Sequence, residues 1–376
     1  MELSFIPYID ILSQWSLQTY IVCLAAYIVI HWLLPARLRA VFLSLGATLF
    51  ILLIDWAAYG VLLFMAVSLY ALTKVKTRST LLLLAGLAFL IIPFIVHETA
   101  RAIYRDSDIY DLVFMTGMAF YTLRLIHYWF ECFKQKLPQH NFLDFYTYTF
   151  FLPIFIVGPI YRFEDFHKWE QRKRVDWERF FDGILRIIQG AFMVVVLSGY
   201  FVNQLLRGWI DTLQPEQTFA NFYAFCLEYG LNIYFQFAGY SSIAIGIGAL
   251  LGHRVCENFH HPFFRENIVE FWKHWHMSLT GWVRQYIFLP IVTYTGAERI
   301  ALMLSMCMIG VWHGFTLNAL MWGIYHGIGI NLYHWYRRSQ WRQSLVSDNT
   351  VLINLWRYMS ILLTFHYVIL GNYLLK

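Results

Sequence analysis

A chain of 376 residues that is 59% apolar and 19% aromatic, with only 14% of its residues charged, has too little polar side chain to cover a soluble surface. Its formal net charge of +5 is modest, and acidic and basic residues nearly cancel in the most charged stretch, 161–180, which excludes a nucleic-acid-binding face. Apolar runs long enough to span a bilayer recur from one end to the other, so residues 1–376 read as a single integral-membrane domain of all-α class with no room for a sizeable soluble part.

The amino terminus, Met1-Glu2-Leu3-Ser4-Phe5, has neither the basic n-region nor the small-residue cleavage site of a signal peptide, and the first basic residue is Arg37. The first span is therefore expected to be retained. Residues 18–35, 40–54, 56–73 and 80–99 read as apolar helices, since helix is the one open-chain structure that satisfies its own backbone in lipid. Arg37 and Arg39, then Lys74, Lys76 and Arg78, form two basic loops separated by two spans, with Asp55 at the turn between. The positive-inside rule puts both loops in the cytoplasm and Asp55 and the amino terminus outside. Arg337, Arg338 and Arg342 mark another cytoplasmic loop before a last span near 350–372. A multi-pass protein of the inner (plasma) membrane is the expectation.

Further along, Arg124 with His127 and His127 with Glu131 have helical i+3 and i+4 spacing, which permits a charge network on one face, either structural or functional. Gly158-Pro159-Ile160 breaks an apolar run, and breaks at membrane depth occur where protein shields the backbone or a cavity lies beside it, so a re-entrant element is predicted around 150–165. Residues 161–180 mix charges with Phe163, Phe166, Trp169, Trp177 and Phe180, a pattern suited to an amphipathic segment in the headgroup layer. Gln236 sits in an otherwise apolar helix ahead of Gly246 and Gly248, small residues that allow close approach of another helix or of an acyl carrier arm. Residues 252–290 are too polar to cross lipid alone and read as short helices that carry His276 to depth, with 287–293 returning. The apolar pattern resumes over 298–335, carrying His313 and then His326. The sum is ten or eleven spans with one or two re-entrant pieces.

Five scattered cysteines without a Cys-x-x-Cys pair indicate neither a disulfide framework nor a zinc ribbon. His260-His261 and His274-x-His276 place four imidazoles within seventeen positions. Histidines two apart on a helix do not share a face, and no His-Glu-x-x-His is present, so no metal site is expected.

Two Trp-His pairs remain, Trp275-His276 and Trp312-His313. Polar groups at membrane depth are costly and tend to mark cavities, proton paths or reaction sites. A neutral imidazole in a partly dry site can act as a general base without carrying a permanent charge. His313 has Gly310, Gly314, Thr316 and Asn318 around it, small and polar neighbours that could admit a substrate. His276 lies near Lys273, Ser278, Thr280 and Arg284, a strip able to hold an anionic group. The alternative is structural, with each imidazole bonded to a backbone carbonyl and each tryptophan packed on a neighbour.

The strings Phe151-Leu152-Pro153, Gly158-Pro159-Ile160-Tyr161-Arg162-Phe163, Tyr234 to Ser241, Phe271-Trp272-Lys273-His274-Trp275-His276-Met277-Ser278-Leu279, Arg284-Gln285-Tyr286-Ile287 and Trp312-His313-Gly314, in this order, resemble the membrane-bound O-acyltransferases over roughly 110–335. Within that family the chain is most similar to the bacterial branch that includes alginate O-acetylation proteins and the D-alanyl transfer protein of teichoic acid modification. The resemblance implies a multi-helix bundle around a central channel and transfer of an activated acyl group from the cytoplasm to the outer face. It makes His313 the active-site histidine and His276 the second motif histidine. Gln236 and Ser242 stand where acetylating members often carry aspartate, and Gln285 replaces an aspartate. Arg124 and Glu131 resemble the D-alanyl branch.

Residues and resemblance together point to thioester chemistry, with no bound cofactor and with an acyl carrier protein or acyl-coenzyme A as co-substrate. His313 would deprotonate a hydroxyl, and backbone or Asn318 amides would steady the oxyanion. Substrate contacts are assigned to Asn318, Ser278, Lys273, Arg284, Gln236 and Trp312. Membrane lipid surrounds the chain, and a partner transferase outside the cytoplasm is expected, because the loops are too short to grip a polymer. A transporter or export channel and a non-catalytic scaffold of an envelope-modifying complex are the rival classes; no inverted repeat supports the former.

Overall fold

The computed structural model describes residues 16–75, 77–103, 117–170, 174–213, 218–340 and 349–375. The amino terminus read above for a signal sequence, together with Lys76, Arg172, Lys173 and Arg342, lies outside these. Every regular element among the described residues is helical.

Among the described residues four helices come first: α1 (Leu17–Leu33), α2 (Ala36–Ile54), α3 (Trp56–Thr73) and α4 (Thr80–Ile103). Their ends are written locally. Ser16 Oγ accepts the Thr19 amide at 3.2 Å to start α1, and Asp55 accepts the Ala58 amide at 2.7 Å, closing α2 and opening α3 in one residue. Next come α5 (Met118–Phe133), the short α6 (Phe142–Thr149) with an Asn141/Asp144 capping box, and α7 (Phe163–Glu170). The long α8 (Trp177–Ile210) has a wide π-helical stretch over Met193–Leu206, and α9 (Thr218–Leu250) follows. The remainder is α10 (Ile268–His274), α11 (Met277–Val283), a π turn (Arg284–Phe288) into α12 (Leu289–Thr295), α13 (Glu298–His313), α14 (Leu317–Arg338) and α15 (Thr350–Gly371).

Six of the described helices are long and apolar enough to cross a bilayer: Ala36–Ile54, Trp56–Thr73, Thr80–Ala100, Trp177–Ile210, Phe219–Leu250 and Thr350–Leu375. The apolar helix α1 is shorter. The sequence expectation was ten or eleven spans; of the other stretches read as spans, 298–335 forms α13 and α14, which are shorter or more polar than these six.

The chain divides into two compact units, Met1–Gln189 with Ser241–Cys256, and Gly190–Tyr240 with Glu257–Lys376, so that the boundaries fall inside α8 and α9. In the first unit an aromatic core forms from Tyr121, Tyr128, Phe145, Tyr148, Phe150, Phe155, Phe163 and Phe166, all nearly inaccessible. Edge-to-face pairs such as Tyr148–Phe163 at 5.2 Å each add roughly 0.5–1.5 kcal/mol beyond burial. The break at 150–165 is met here as one tight turn, Leu152–Ile154, and irregular backbone under buried Phe151, Ile160 and Tyr161. His253 closes this unit, stacked on Phe166 at 4.8 Å with Nε2 2.9 Å from Glu170 Oε2.

Two sequence expectations are corrected in this unit. Residues 161–180 do not form one headgroup-layer segment: α7 ends at Glu170, Phe163 and Phe166 enter the protein core, and Trp177 begins α8. Arg124, His127 and Glu131 do not pair with one another among the described residues. Arg124 Nη1 donates to the Tyr148 carbonyl at 3.3 Å, His127 Nε2 lies 3.1 Å from Glu164 Oε2, and Glu131 meets Lys134. Partners from α6 and α7, brought close by the fold, take Arg124 and His127, and Glu131 turns to the end of its own helix. Gly246 serves helix packing: a Cβ there would meet the Gly183 carbonyl oxygen of α8 at 2.6 Å.

Candidate functional site

From Glu257 onward the polar tract belongs to the second unit, where it folds as a chain of turns that leads to His276. His261 and His276 both adopt left-handed backbone, with φ of 47° and 45°, a conformation that histidine tolerates only at a cost. Asn258, fully buried, holds the second of these turns. Its backbone oxygen accepts the Met277 amide at 2.9 Å, and its side-chain oxygen accepts the Ser278 hydroxyl at 2.6 Å and the Ser278 amide at 3.3 Å. Satisfying two amides at the start of α11 is an N-terminal cap supplied from elsewhere in the sequence. The result is a buried His276 ring, 2% exposed, packed on Phe237 of α9 at 4.6 Å.

His313 reaches the same place from the end of α13. Trp312 lies between the two imidazoles, 5.9 Å from His276 and 5.0 Å from His313. His313 also packs on Trp322 of α14 at 5.3 Å, and Trp322 in turn on His326 at 4.5 Å. A row of rings therefore runs Phe237, His276, Trp312, His313, Trp322, His326. Accessibility differs along it: His276 and His326 are buried, while His313 is exposed and its ring makes no hydrogen bond among the described residues. An accessible imidazole with both nitrogens uncommitted can take a proton from a ligand; a buried one serves first to shape the wall.

Placement of the other sequence candidates is uneven. Gly310 is not an entry for substrate. A Cβ there would lie 2.2 Å from the Ala319 carbonyl oxygen, so this glycine lets the α13 and α14 backbones touch, with Gly323 packing likewise on the Met306 carbonyl. Gly314 has open space beside it. Thr316 is spent as the cap of α14, accepting the Ala319 amide at 3.1 Å. Asn318 is exposed on the first turn of α14. Ser278 is bound to Asn258. Lys273 lies on an exposed face, its Nζ 2.7 Å from Glu270, and that hydrogen bond holds the Glu270 carboxyl below the usual carboxylate range. Arg284 is exposed at the start of the π turn and unpaired among the described residues. Gln236 donates to Asn232 at 3.1 Å, and Asn232 also accepts from Ser198 in the π-helical part of α8.

Residues not singled out in the sequence also stand here. Asn258 gave the faint signal of an amide in a tract of aromatics, and His326 that of a third histidine on the apolar pattern of 298–335. Trp272 contributes a ring 5.3 Å from His326. Among the described residues no three His, Cys, Asp or Glu side chains are grouped to hold a metal ion.

Comparison with known proteins gives this arrangement a context. Residues 133–371 match the model of the membrane-bound O-acyltransferase family. The chain is 33% identical over 205 residues to the probable alginate O-acetylase of Pseudomonas aeruginosa, covering 53% of this chain and 38% of that protein. It is 28% identical over 287 residues to the teichoic acid D-alanyltransferase of Bacillus subtilis, covering 70% and 69%. It is 25% identical over 234 residues to the peptidoglycan O-acetyltransferase of Helicobacter pylori, covering 54% and 44%. The chain thus spans well under half the length of the alginate relatives it matches. With a family match that takes in α9 to α15 and both Trp-His pairs, the chain belongs to the membrane-bound O-acyltransferase family.

Proposed function

We propose that this protein is an O-acyltransferase that moves an acetyl or D-alanyl group from a thioester donor on the cytoplasmic side of the plasma membrane to a hydroxyl of a cell-envelope polymer or partner protein. The observation that carries this reading is the exposed, uncommitted His313 ring set one tryptophan away from buried His276.

In the reaction the hydroxyl oxygen bonds to the thioester carbonyl carbon, and His313 takes the hydroxyl proton. The tetrahedral intermediate then collapses, the carbon–sulfur bond breaks, and His313 returns the proton to the departing thiolate. An ester and a free thiol result, with no redox change and no metal required by the balance. Asn318, exposed two residues into α14, is the side-chain amide assigned to the developing oxyanion. Arg284 and Lys273 are exposed cations suited to a phosphate-bearing thiol arm of an acyl carrier protein or acyl-coenzyme A. Trp312 and Phe237 pack on the His276 ring, and Gln236, one residue before Phe237, is assigned to the substrate. The names of the relatives, an O-acetylase, a D-alanyltransferase and an O-acetyltransferase, support the reaction class. A partner transferase outside the cytoplasm completes delivery.

The test is thioester consumption by purified protein in detergent, with acetyl-coenzyme A and D-alanyl carrier protein as donors, for wild type and His313→Ala. Turnover that disappears in a variant of normal membrane abundance is expected. Turnover indifferent to the substitution would remove His313 from the mechanism, and proton-coupled flux without acyl transfer would favour a transporter.

A further inference from the structure

Next to His313 lies a group of buried polar atoms that the protein itself leaves unmet. Among the described residues neither ring nitrogen of fully buried His326 has a hydrogen-bond partner, nor do the buried indole N–H groups of Trp272 and Trp322. The three rings touch one another, at 4.5 Å for Trp322–His326, 5.3 Å for Trp272–His326 and 5.6 Å for Trp272–Trp322. All four unmet atoms thus belong to one cluster, joined to His313 through Trp322. Buried polar groups in folded proteins are nearly always bonded, so several unmet ones in a single place call for a partner.

Two further observations concern the space. Gly371 of α15 faces the Nε2 side of His326: a Cβ there would stand 3.1 Å from that nitrogen. The neighbouring Tyr325 and Tyr367 have both hydroxyl protons committed to backbone carbonyls, so neither donates to His326.

We infer that Trp272, Trp322 and His326 form a subsite beside His313 that hydrogen-bonds an uncharged, oxygen-rich segment of a co-substrate. This deepens the acyl-transfer reading of His313 and rests on it. The class of ligand follows from the inventory of atoms. Each indole offers one donor, and a neutral imidazole one donor and one acceptor, giving three donors to one acceptor. A matching segment presents mainly acceptor oxygens. The three side chains carry no formal charge, which disfavours a bare phosphate or carboxylate. Aromatic walls suit an oxygen-bearing segment with apolar faces. Two sources share this chemistry: the amide-rich thiol arm of the donor, and the ether and hydroxyl oxygens of a sugar or polyol acceptor.

Steady-state kinetics in detergent distinguishes them. The donors are acetyl-coenzyme A and D-alanyl carrier protein, the acceptors a mannuronate oligosaccharide and a glycerol phosphate oligomer. Expected for His326→Phe and Trp272→Phe is a rise of roughly tenfold, equal to about 1.4 kcal/mol, in the KM of one and the same co-substrate. The kcat should stay within about threefold, the mark of lost binding common to ground and transition states. His326→Gln, which restores a donor and an acceptor, should recover most of the loss. A raised donor KM assigns the thiol arm, a raised acceptor KM the hydroxylated ligand. Unchanged KM for both, in variants of wild-type abundance and Tm, would overturn the subsite. So would a loss that tracks a lowered Tm and is not recovered by His326→Gln.

Equilibrium binding separates this idea from the reaction itself. Coenzyme A and each acceptor oligomer are titrated into His313→Ala alone and combined with His326→Phe. Weaker binding of one probe in the double variant supports the subsite even if His313 proves not to be the base. Binding of every probe unaffected by His326→Phe, or absent from the wild type, sinks it.

Discussion

Tyr325 and Tyr367 donate their hydroxyls to each other's backbone carbonyl oxygens, and their rings stack with centroids 4.2 Å apart. This reciprocal pair clamps α15 against the stretch of α14 that carries His326. Each hydrogen bond contributes about 1 kcal/mol net. Tyr325→Phe and Tyr367→Phe should each lower stability by that order and the double variant by about twice as much, while stacking is kept. Thermal unfolding in detergent measures it, and a Tm unmoved in both single variants would contradict the clamp.

Gly310→Ala should cost far more, because the added Cβ would sit 2.2 Å from the Ala319 carbonyl of a packed neighbour. Overpacking of a close helix contact costs about 1–3 kcal/mol or more. Gly314→Ala, four residues on and in open space, should accumulate in the membrane like the wild type. Comparing membrane abundance of the two variants decides whether Gly310 serves packing or substrate entry.

The backbone of His276 permits strain to be told from chemistry. A left-handed residue is tolerated best by glycine, asparagine and aspartate and worst by β-branched side chains, the penalty being of order 1–3 kcal/mol. His276→Asn should keep abundance and Tm, and His276→Val should lose both. If acyl transfer falls in the asparagine variant with the fold intact, the imidazole itself is needed; full activity there would reduce His276 to a structural part.

Lys273 and Glu270 supply a pH prediction with a clear sign. Glu270 is held below the ordinary carboxylate range first by its hydrogen bond from Lys273, so the pair contributes at pH above that range and is lost as pH falls through the lowered value. With the two side chains 60% and 40% exposed, screening limits the stability involved to about 0.5 kcal/mol. Lys273→Ala should leave Tm unchanged within error at pH 7. A severalfold rise in donor KM at low salt, vanishing at high salt, is expected if Lys273 meets a phosphate-bearing arm. A donor KM equal to wild type at every salt concentration would remove Lys273 from donor binding.

Much of the helical framework was legible because lipid imposes a local rule: an apolar run must satisfy its own backbone, and Ala36–Ile54, Trp56–Thr73 and Thr350–Gly371 follow where hydropathy places them. Asp55 marks its turn by capping chemistry that acts within three residues. The approach of the two Trp-His pairs was anticipated, since both stood out against apolar surroundings. What escaped depends on partners distant in sequence. Ser278 looks like a substrate contact until Asn258, twenty residues away, takes its hydroxyl. Gly310 looks like a doorway until Ala319 arrives. Arg124 spacing suggests pairing along a helix until α6 offers a carbonyl. The unmet nitrogens of His326 are visible only once Trp272 and Trp322 enclose them.

Two backbone hydrogen bonds, Met277 to Asn258 at 2.9 Å and His260 to His274 at 3.0 Å, tie the two ends of residues 258–277 to each other. The location of His276 is therefore set by a short crosswise tie, and the number of residues along the covalent path has no bearing on it. On that detour Phe264 is 72% exposed. An insertion there lengthens the detour without moving its endpoints. Near Phe264, then, the molecule offers a place to carry a tag or a fluorophore that rides on the His276 turn while leaving its geometry alone.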